Sequence, residues 1–341
     1  MSKTLPNAPV EDPAGLAAKG AVAPAGTVAA SPPAAARLRR GLGWLDQPRW
    51  LNLAFTIPLT LLLVAVVVFP FAMNLKLSFS HFAANSGLSW WDAPWAGFDN
   101  YTRVLNDGRY WSAILRTFLI TGLGVVIEGV LGFALALLMS GVRRGRTIYT
   151  AIFLIPMMVV PVVSGFVFYM MFQQGGVVNA GILSTIAGTT VNIPWLSDSF
   201  WAFTAILIVD VWQWTPLMFL IFSAGLAAIP DNMRNAAELL GANRWQQLRY
   251  INLPLLKRII LIAAVIRGIE LFKIFDTAWI LTGGGPGTST ETISIYLYRT
   301  GAVSLDVATA AASSFLVLFL VGVVAWFALR PLEVDRAGAT R

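Results

Sequence analysis

The chain has 341 residues, of which 57% are hydrophobic and 12% charged, and it carries a formal net charge of +7. Soluble domains average roughly 45–50% apolar and about 25% charged residues, so the polar surface that a water-exposed globule needs is missing and a soluble enzyme is excluded. With no cysteine and a single histidine, His81, disulfides, thiolate metal sites, cysteine nucleophiles and multi-histidine metal centres are excluded too, although carboxylate sites are not.

Residues 1–36 hold twelve Ala and six Pro with scarcely any large apolar side chain. Such a segment cannot bury enough surface to offset its ordering entropy, so a disordered tail with a basic end is expected over 1–48. No apolar run precedes Arg37, unlike an ordinary secretory signal. The apolar stretch after Arg39-Arg40 is long enough to span and lacks a small-residue exit site, which argues against a twin-arginine signal.

Six membrane-spanning helices are expected next, at Leu51–Leu75, about 113–139, 150–172, 200–224, 259–280, and Val307–Leu329. Each offers about 20 apolar residues, enough to cross roughly 30 Å of hydrocarbon as helix. The third opens a charge-free run, Thr147–Ser197, that Gln173-Gln174-Gly175-Gly176 and the polar stretch 188–192 interrupt, so one crossing is expected there. The fold class is therefore all-α and polytopic, with a membrane domain over 49–331 and a short tail at 332–341. With the N-terminus inside, 17 Lys and Arg fall on the inner segments and five on the outer ones. That bias places both termini in the cytoplasm and makes nucleic-acid binding an unneeded reading of the basic surplus.

Between the fourth and fifth expected spans lies the longest inner loop, about 226–257. Pro230-Asp231 supplies a helix start, and Met233, Ala236, Ala237 and Leu240 recur at i, i+3, i+4 and i+7 as one apolar face. Gly241 suits the left-handed residue that ends a helix. Asn243 with Gln246 resembles a capping box for a second short helix, which Pro254 is expected to bound. Two readings stand: an amphipathic helix on the bilayer surface, or a docking knob for a soluble partner, which the small Ala side chains favour.

Charges inside the spans are expensive and by default face a cavity or a partner helix. Arg267, Glu270, Leu271 and Ile274 share one stripe of the fifth span, and Asp210, Gln213, Trp214 and Leu217 share one on the fourth. A local Arg267–Glu270 pair or a polar contact to a partner subunit is one reading, and a cargo path lined by both stripes is the other. Glu128, Lys273 and Asp276 lie off these stripes and read as structural. No Lys follows a Gly, so the chain has no phosphate-cradling loop, and any ATP must be hydrolysed by another subunit. Thr282-Gly283-Gly284-Gly285-Pro286-Gly287 is not a nucleotide loop either, and from its residues alone reads as a flexible turn. His81 reads as a solvated loop residue.

Asn235-Ala236-Ala237-Glu238-Leu239-Leu240-Gly241-Ala242, followed by Ile251-Asn252-Leu253-Pro254, resembles the EAA loop of ABC importer permeases. Gly97-Phe98-Asp99-Asn100-Tyr101, Leu154-Ile155-Pro156, Trp195-Leu196-Ser197-Asp198, Trp212-Gln213-Trp214-Thr215-Pro216 and Leu281–Pro286 follow in the order of carbohydrate importer permeases, of the type resembling the larger maltose-permease subunit. The resemblance covers nearly all of the chain from the first span onward and implies the type I permease fold in a prokaryotic plasma membrane. It also implies a second homologous permease, two copies of an ATP-binding subunit that hold the ATP and Mg, an extracytoplasmic solute-binding protein, and a carbohydrate or polyol cargo. By the same resemblance Asn235, Ala236, Ala237, Glu238, Gly241, Leu253 and Pro254 belong to the ATPase-coupling loop, Gln213, Trp214 and Leu217 with Arg267, Glu270, Leu271 and Ile274 fall at sugar-lining positions, and residues 282–287 belong to the surface near the docked binding protein. Asn235 and Leu240 depart from the usual pattern, which has Glu and Asp there. A glycerol-phosphate importer, with Arg267 on the phosphate, is the first alternative. A self-contained transporter with Glu128, Asp210 and Glu270 as a proton relay is the second.

Overall fold

The computed structural model describes residues 48–142 and 144–339. The tail expected to be disordered, with its Arg39-Arg40 pair, lies outside the described residues apart from Pro48. The chain divides into two units, Met1–Val66 and Val67–Arg341. In the first, Pro48–Leu63 forms helix α1. A π-helical turn at Val64–Val68 follows, and the second unit opens with α2, Phe69–Ser78.

The other helices are α3 (Asp99–Leu105), α4 (Gly108–Ser140), α5 (Arg146–Met158), α6 (Pro161–Phe172), α7 (Ser199–Ala227), α8 (Asp231–Leu239), α9 (Arg244–Gln247), α10 (Leu253–Phe272), α11 (Asp276–Thr282), α12 (Ile293–Tyr298) and α13 (Val307–Ala339). Among the described residues the only extended pairing is an isolated bridge between Ser80 and Trp95. The protein is all-α, as its apolar runs dictate.

Four helical stretches among the described residues are long and apolar enough to cross a membrane: Leu53–Ser78, Gly108–Ser140, Ser199–Ala227 and Val307–Arg330. The other two expected crossings take different forms, one a bent pair of helices and one a shorter helix that carries Lys257, Arg258, Arg267 and Glu270. The third is the pair α5 and α6, bent by 88°. Pro161 has no N–H and disfavours helical backbone at Val160, which is extended at ψ 135°, so the helix stops at Met158 and restarts. The fifth, expected at 259–280, is α10, which ends at Phe272. The amides of Lys273 and Ile274 close it on the carbonyls of Glu270 and Leu271, and the chain turns into the separate α11. At 20 residues α10 is about 30 Å long. The tail expected from 332 continues as helix to Ala339.

The core sits where α4, α7 and α10 meet, and glycines set the spacing. A Cβ on Gly132 of α4 would come 2.6 Å from Met218 Cβ and 2.8 Å from the Phe219 amide nitrogen on α7; one on Gly124 would collide with Leu271 of α10. Gly124 and Gly132 flank Glu128 at four-residue spacing, so one face of α4 is cleared for close helix approach around a carboxylate. Close contact of this kind drives helix association where lipid tails offer no hydrophobic gain.

Candidate functional site

That cleared face holds an ionic cluster. Arg267 on α10 donates Nε to Glu128 Oε2 at 2.6 Å and Nη2 to Glu128 Oε1 at 3.1 Å, and Nη2 also reaches Asp210 Oδ2 on α7 at 2.5 Å. All three residues are buried, with 4% exposure or less. The guanidinium carbon lies 5.0 Å from the centre of the Trp214 ring. Two carboxylates share one guanidinium, so the ionised cluster carries a net negative charge. The expected local Arg267–Glu270 pair does not form. Glu270 instead accepts from Lys273 Nζ at 3.1 Å, and both of these side chains are about half exposed.

The cluster borders a cavity of about 250 Å³ lined by Asp210, Trp214, Arg267, Glu270, Leu271 and Ile274. Six of the eight residues singled out on the two stripes are thus brought together. Gln213 and Leu217 are not among its lining residues. Gln213 is buried and braces the break in the third span: its Nε2 donates to the Val159 carbonyl at 2.6 Å, and its Oε1 accepts from Ser164 Oγ at 2.8 Å. Leu217 is half-buried on α7, one turn beyond Gln213. Three residues read as lying off the stripes belong to this region after all: Glu128 is the bidentate partner of Arg267, and Lys273 and Asp276 line the cavity. The signal that could have placed Glu128 is Gly124-x3-Glu128-x3-Gly132, a small-residue spacing centred on a charge.

At the other end of α7 the loop 228–252 forms a rigid bracket. Helix α8 ends in a two-bond glycine cap: the Ala242 amide donates to the Ala237 carbonyl at 2.9 Å and the Gly241 amide to the Glu238 carbonyl at 3.0 Å, with Gly241 at φ +77°. The capping box expected at Asn243 and Gln246 is present, with both bonds at 2.8 Å. Pro254 does not bound the second helix. A π-helical turn at Leu248–Asn252 carries α9 directly into α10, and Pro254 sits in the first turn of α10, where its missing N–H costs little. Asn235, Ala236 and Glu238 are exposed, Ala237 is half-buried, and Leu253 is exposed at the junction. Leu239 and Leu240 are about 90% exposed, so two large apolar side chains project beside Gly241.

The loop 282–287 is bonded rather than loose. Thr282 Oγ1 and Thr290 Oγ1 are 2.7 Å apart, Thr290 Oγ1 donates to the Gly285 carbonyl at 2.7 Å, and Arg299 Nη2 donates to the Gly283 carbonyl at 2.6 Å. Behind it the buried Glu291 accepts from Arg109 at 2.6 and 2.7 Å and from Arg299 at 3.0 Å. Glu291 has no local signature in the sequence, because its partners Arg109 and Arg299 lie 182 and 8 residues away. His81 is about half exposed, with Nε2 3.7 Å from Asp99 Oδ2. Among the described residues no group of three His, Cys, Asp or Glu side chains could hold a metal ion.

Known proteins resemble this chain in sequence and in fold. The trehalose/maltose transport system permease protein MalF of Thermococcus litoralis is 36% identical over 208 residues, 61% of this chain and 70% of that one. The trehalose transport system permease protein SugA of Mycobacterium tuberculosis is 34% identical over 284 residues, 82% of this chain and 88% of the relative. Crystal structures of a bacterial ABC transporter for the acidic polysaccharide alginate match with TM-scores of 0.69 and 0.68. Both are at 22% identity and cover 86% of this chain and 97% and 96% of theirs; the second is a complex with an alginate pentasaccharide-bound periplasmic protein. The fold is thus that of ABC importer permeases. The family model for the inner membrane component of binding-protein-dependent transport systems matches residues 128–331. This chain, with its buried charge cluster and its capped bracket, belongs to that family of multi-pass inner-membrane permeases.

Proposed function

We propose that this permease carries a carbohydrate or polyol, and that it works with a second homologous permease, two copies of an ATP-binding subunit and an extracytoplasmic solute-binding protein. The observation that carries the reading is the cavity beside the Arg267 cluster, where polar and charged groups and the Trp214 ring converge inside the helix bundle. Such groups hydrogen-bond hydroxyls, and an aromatic face stacks on a sugar ring. The names of the relatives, for trehalose and maltose transport, point to the same cargo class.

The distribution of Lys and Arg supports cytoplasmic termini, and with them a position of the bracket α8–Gly241–α9 on the inner side. There it serves as the lever for the ATPase. Its end is fixed by two glycine-cap bonds and a capping box, and α9 runs without a break into α10. A push on Leu239 and Leu240 is therefore delivered along α10 to Arg267. The chain itself performs no chemistry, and ATP with Mg belongs to the partner subunits. Differential contacts of the bracket with the ATPase in its open and closed states supply the free energy that reorients the bundle.

The phosphorylated-polyol alternative is disfavoured. A phosphate would have to displace two carboxylates from Arg267, whose guanidinium already holds Glu128 in a bidentate pair. Reconstitution decides the matter: vesicles containing the full complex and a binding protein should take up labelled trehalose, maltose or a related neutral glycan only when ATP is supplied to the ATPase side. Gradient-driven uptake by this chain alone would sink the reading in favour of a self-contained transporter.

A further inference from the structure

A second and larger cavity, of about 500 Å³, lies at the far end of α11 from the Arg267 cluster. Helix α11 separates the two. Asp276 and Thr277 at its start line the cavity beside Arg267, whereas Leu281 and Thr282 at its end line the larger one. Seven residues of helix place these ends about 10 Å apart. Glycine again sets the packing: a Cβ on Gly165 of α6 would come 3.0 Å from Ile280 Cβ on α11, so α6 and α11 form a tight wall.

The larger cavity differs in its chemistry. Its lining contains no Asp, Glu, Lys, Arg or His. One wall is aromatic, with the rings of Phe172 and Trp195 stacked at 4.9 Å and 25°, and Trp195 Nε1 held by Asn179 Oδ1 at 3.0 Å. Tyr169 lies one turn back along α6 and adds a ring with a hydroxyl. Gln173 and Gln174 follow the end of α6 and are exposed, and with Ser197 their side chains have no hydrogen-bond partner among the described residues. Each amide offers two donors and an acceptor, and each hydroxyl offers both functions.

An ion finds no countercharge in this cavity, and a purely apolar ligand would leave the amides unpaired, which costs free energy. A ligand with an apolar ring face and several hydroxyls satisfies both walls, and the volume falls within the roughly 300–1,000 Å³ of small-molecule sites. We propose that this cavity is a vestibule subsite for a neutral glycan unit, occupied before the cargo passes α11 to the charged cavity beside Arg267. The inference rests on the carbohydrate reading above and adds a position at which Tyr169, Gln173, Gln174 and Ser197 hold the glycan.

The test uses the full complex in vesicles, with its binding protein and with labelled trehalose and maltose as probes. The readout is sugar imported per ATP hydrolysed, in wild type and in the Gln173→Ala/Gln174→Ala and Tyr169→Phe variants. These side chains are not buried, and assembly of each variant is verified by gel filtration. Loss of two neutral hydrogen bonds predicts a fall of about threefold or more in the ratio for the double variant, and a smaller fall for Tyr169→Phe. A ratio equal to wild type overturns the proposal. So does a parallel loss of binding-protein stimulation of ATP hydrolysis, since that would make this surface a protein-docking face. If wild type itself imports no neutral glycan, the carbohydrate reading fails and takes this ligand class with it; glycan uptake by wild type with unaltered variants removes the vestibule alone.

Discussion

The bracket at α8–α9 and the ionic cluster at Arg267 are built on opposite principles. The bonds that cap the two helices of the bracket join residues no more than five apart: Ala242 to Ala237, Gly241 to Glu238, Asn243 to Gln246. The cluster joins Arg267 to groups 57 and 139 residues away. One is a local device that needs no other helix to keep its shape, as the proposed docking by a partner would require. The other exists only when three helices are packed, and so it reports the packing. A part that must be gripped from outside can be made of local bonds, whereas a part that must respond to helix movement has to be shared between helices.

The largest expected effect comes from breaking the shared device. Arg267→Leu leaves Glu128 and Asp210 as uncompensated buried carboxylates, and breaking a buried pair in this way costs about 3–5 kcal/mol. A lowered midpoint of thermal unfolding in detergent should report it, and adding Glu128→Gln with Asp210→Asn should recover most of the loss. A single variant as stable as wild type would show that the cluster does not hold the helices together. Gly241→Pro strikes the local device. Proline fixes φ near −65°, and the observed +77° is out of its reach, so α8 loses its cap and association with the ATPase should be abolished. The fold of the bundle should survive, because a Cβ at Gly241 would have nothing within 4 Å. Copurification of an intact complex would contradict the docking role.

Smaller effects sharpen the contrast. Asn243→Ala removes one capping box and should cost about 1 kcal/mol of local helix stability, visible as faster amide exchange over α9 with no change over α7. Glu270→Ala removes an exposed pair with Lys273, which contributes little to stability. Its effect should fall on cargo affinity or selectivity, with assembly intact. Identical uptake of every glycan tested would take Glu270 out of the path.

This difference also explains what the sequence made legible. The all-α class follows from apolar run length alone, and the bracket from Pro230-Asp231, Gly241 and the Asn243–Gln246 spacing, since local bonds leave local signatures. The 88° break between α5 and α6 was foreshadowed by Pro156 and Pro161, but apolar content masked it, and its brace, Gln213, comes from another helix. The end of α10 at Phe272 had no comparable marker, because no Pro or Gly follows until Gly283. Arg267 and Asp210 were visible as costly charges on the right stripes. The bidentate partner of Arg267, Glu128, was not, because helical periodicity relates residues within one helix and says nothing about which face of the next helix they meet. Only the glycines flanking Glu128 carried that information.

Helix α10 is the proposed conductor between the bracket and the charged cavity, and accessibility of the cavity from each face reports it directly. The natural chain has no cysteine, so Glu270→Cys supplies a single thiol in the cavity. In the full complex, its labelling by a membrane-impermeant maleimide added from either face can be timed with and without trapped ATP. The account predicts that trapped ATP moves the accessible face from the cytoplasmic to the outer side, and that Gly241→Pro removes the change. Labelling from the same side at the same rate in both nucleotide states would contradict it.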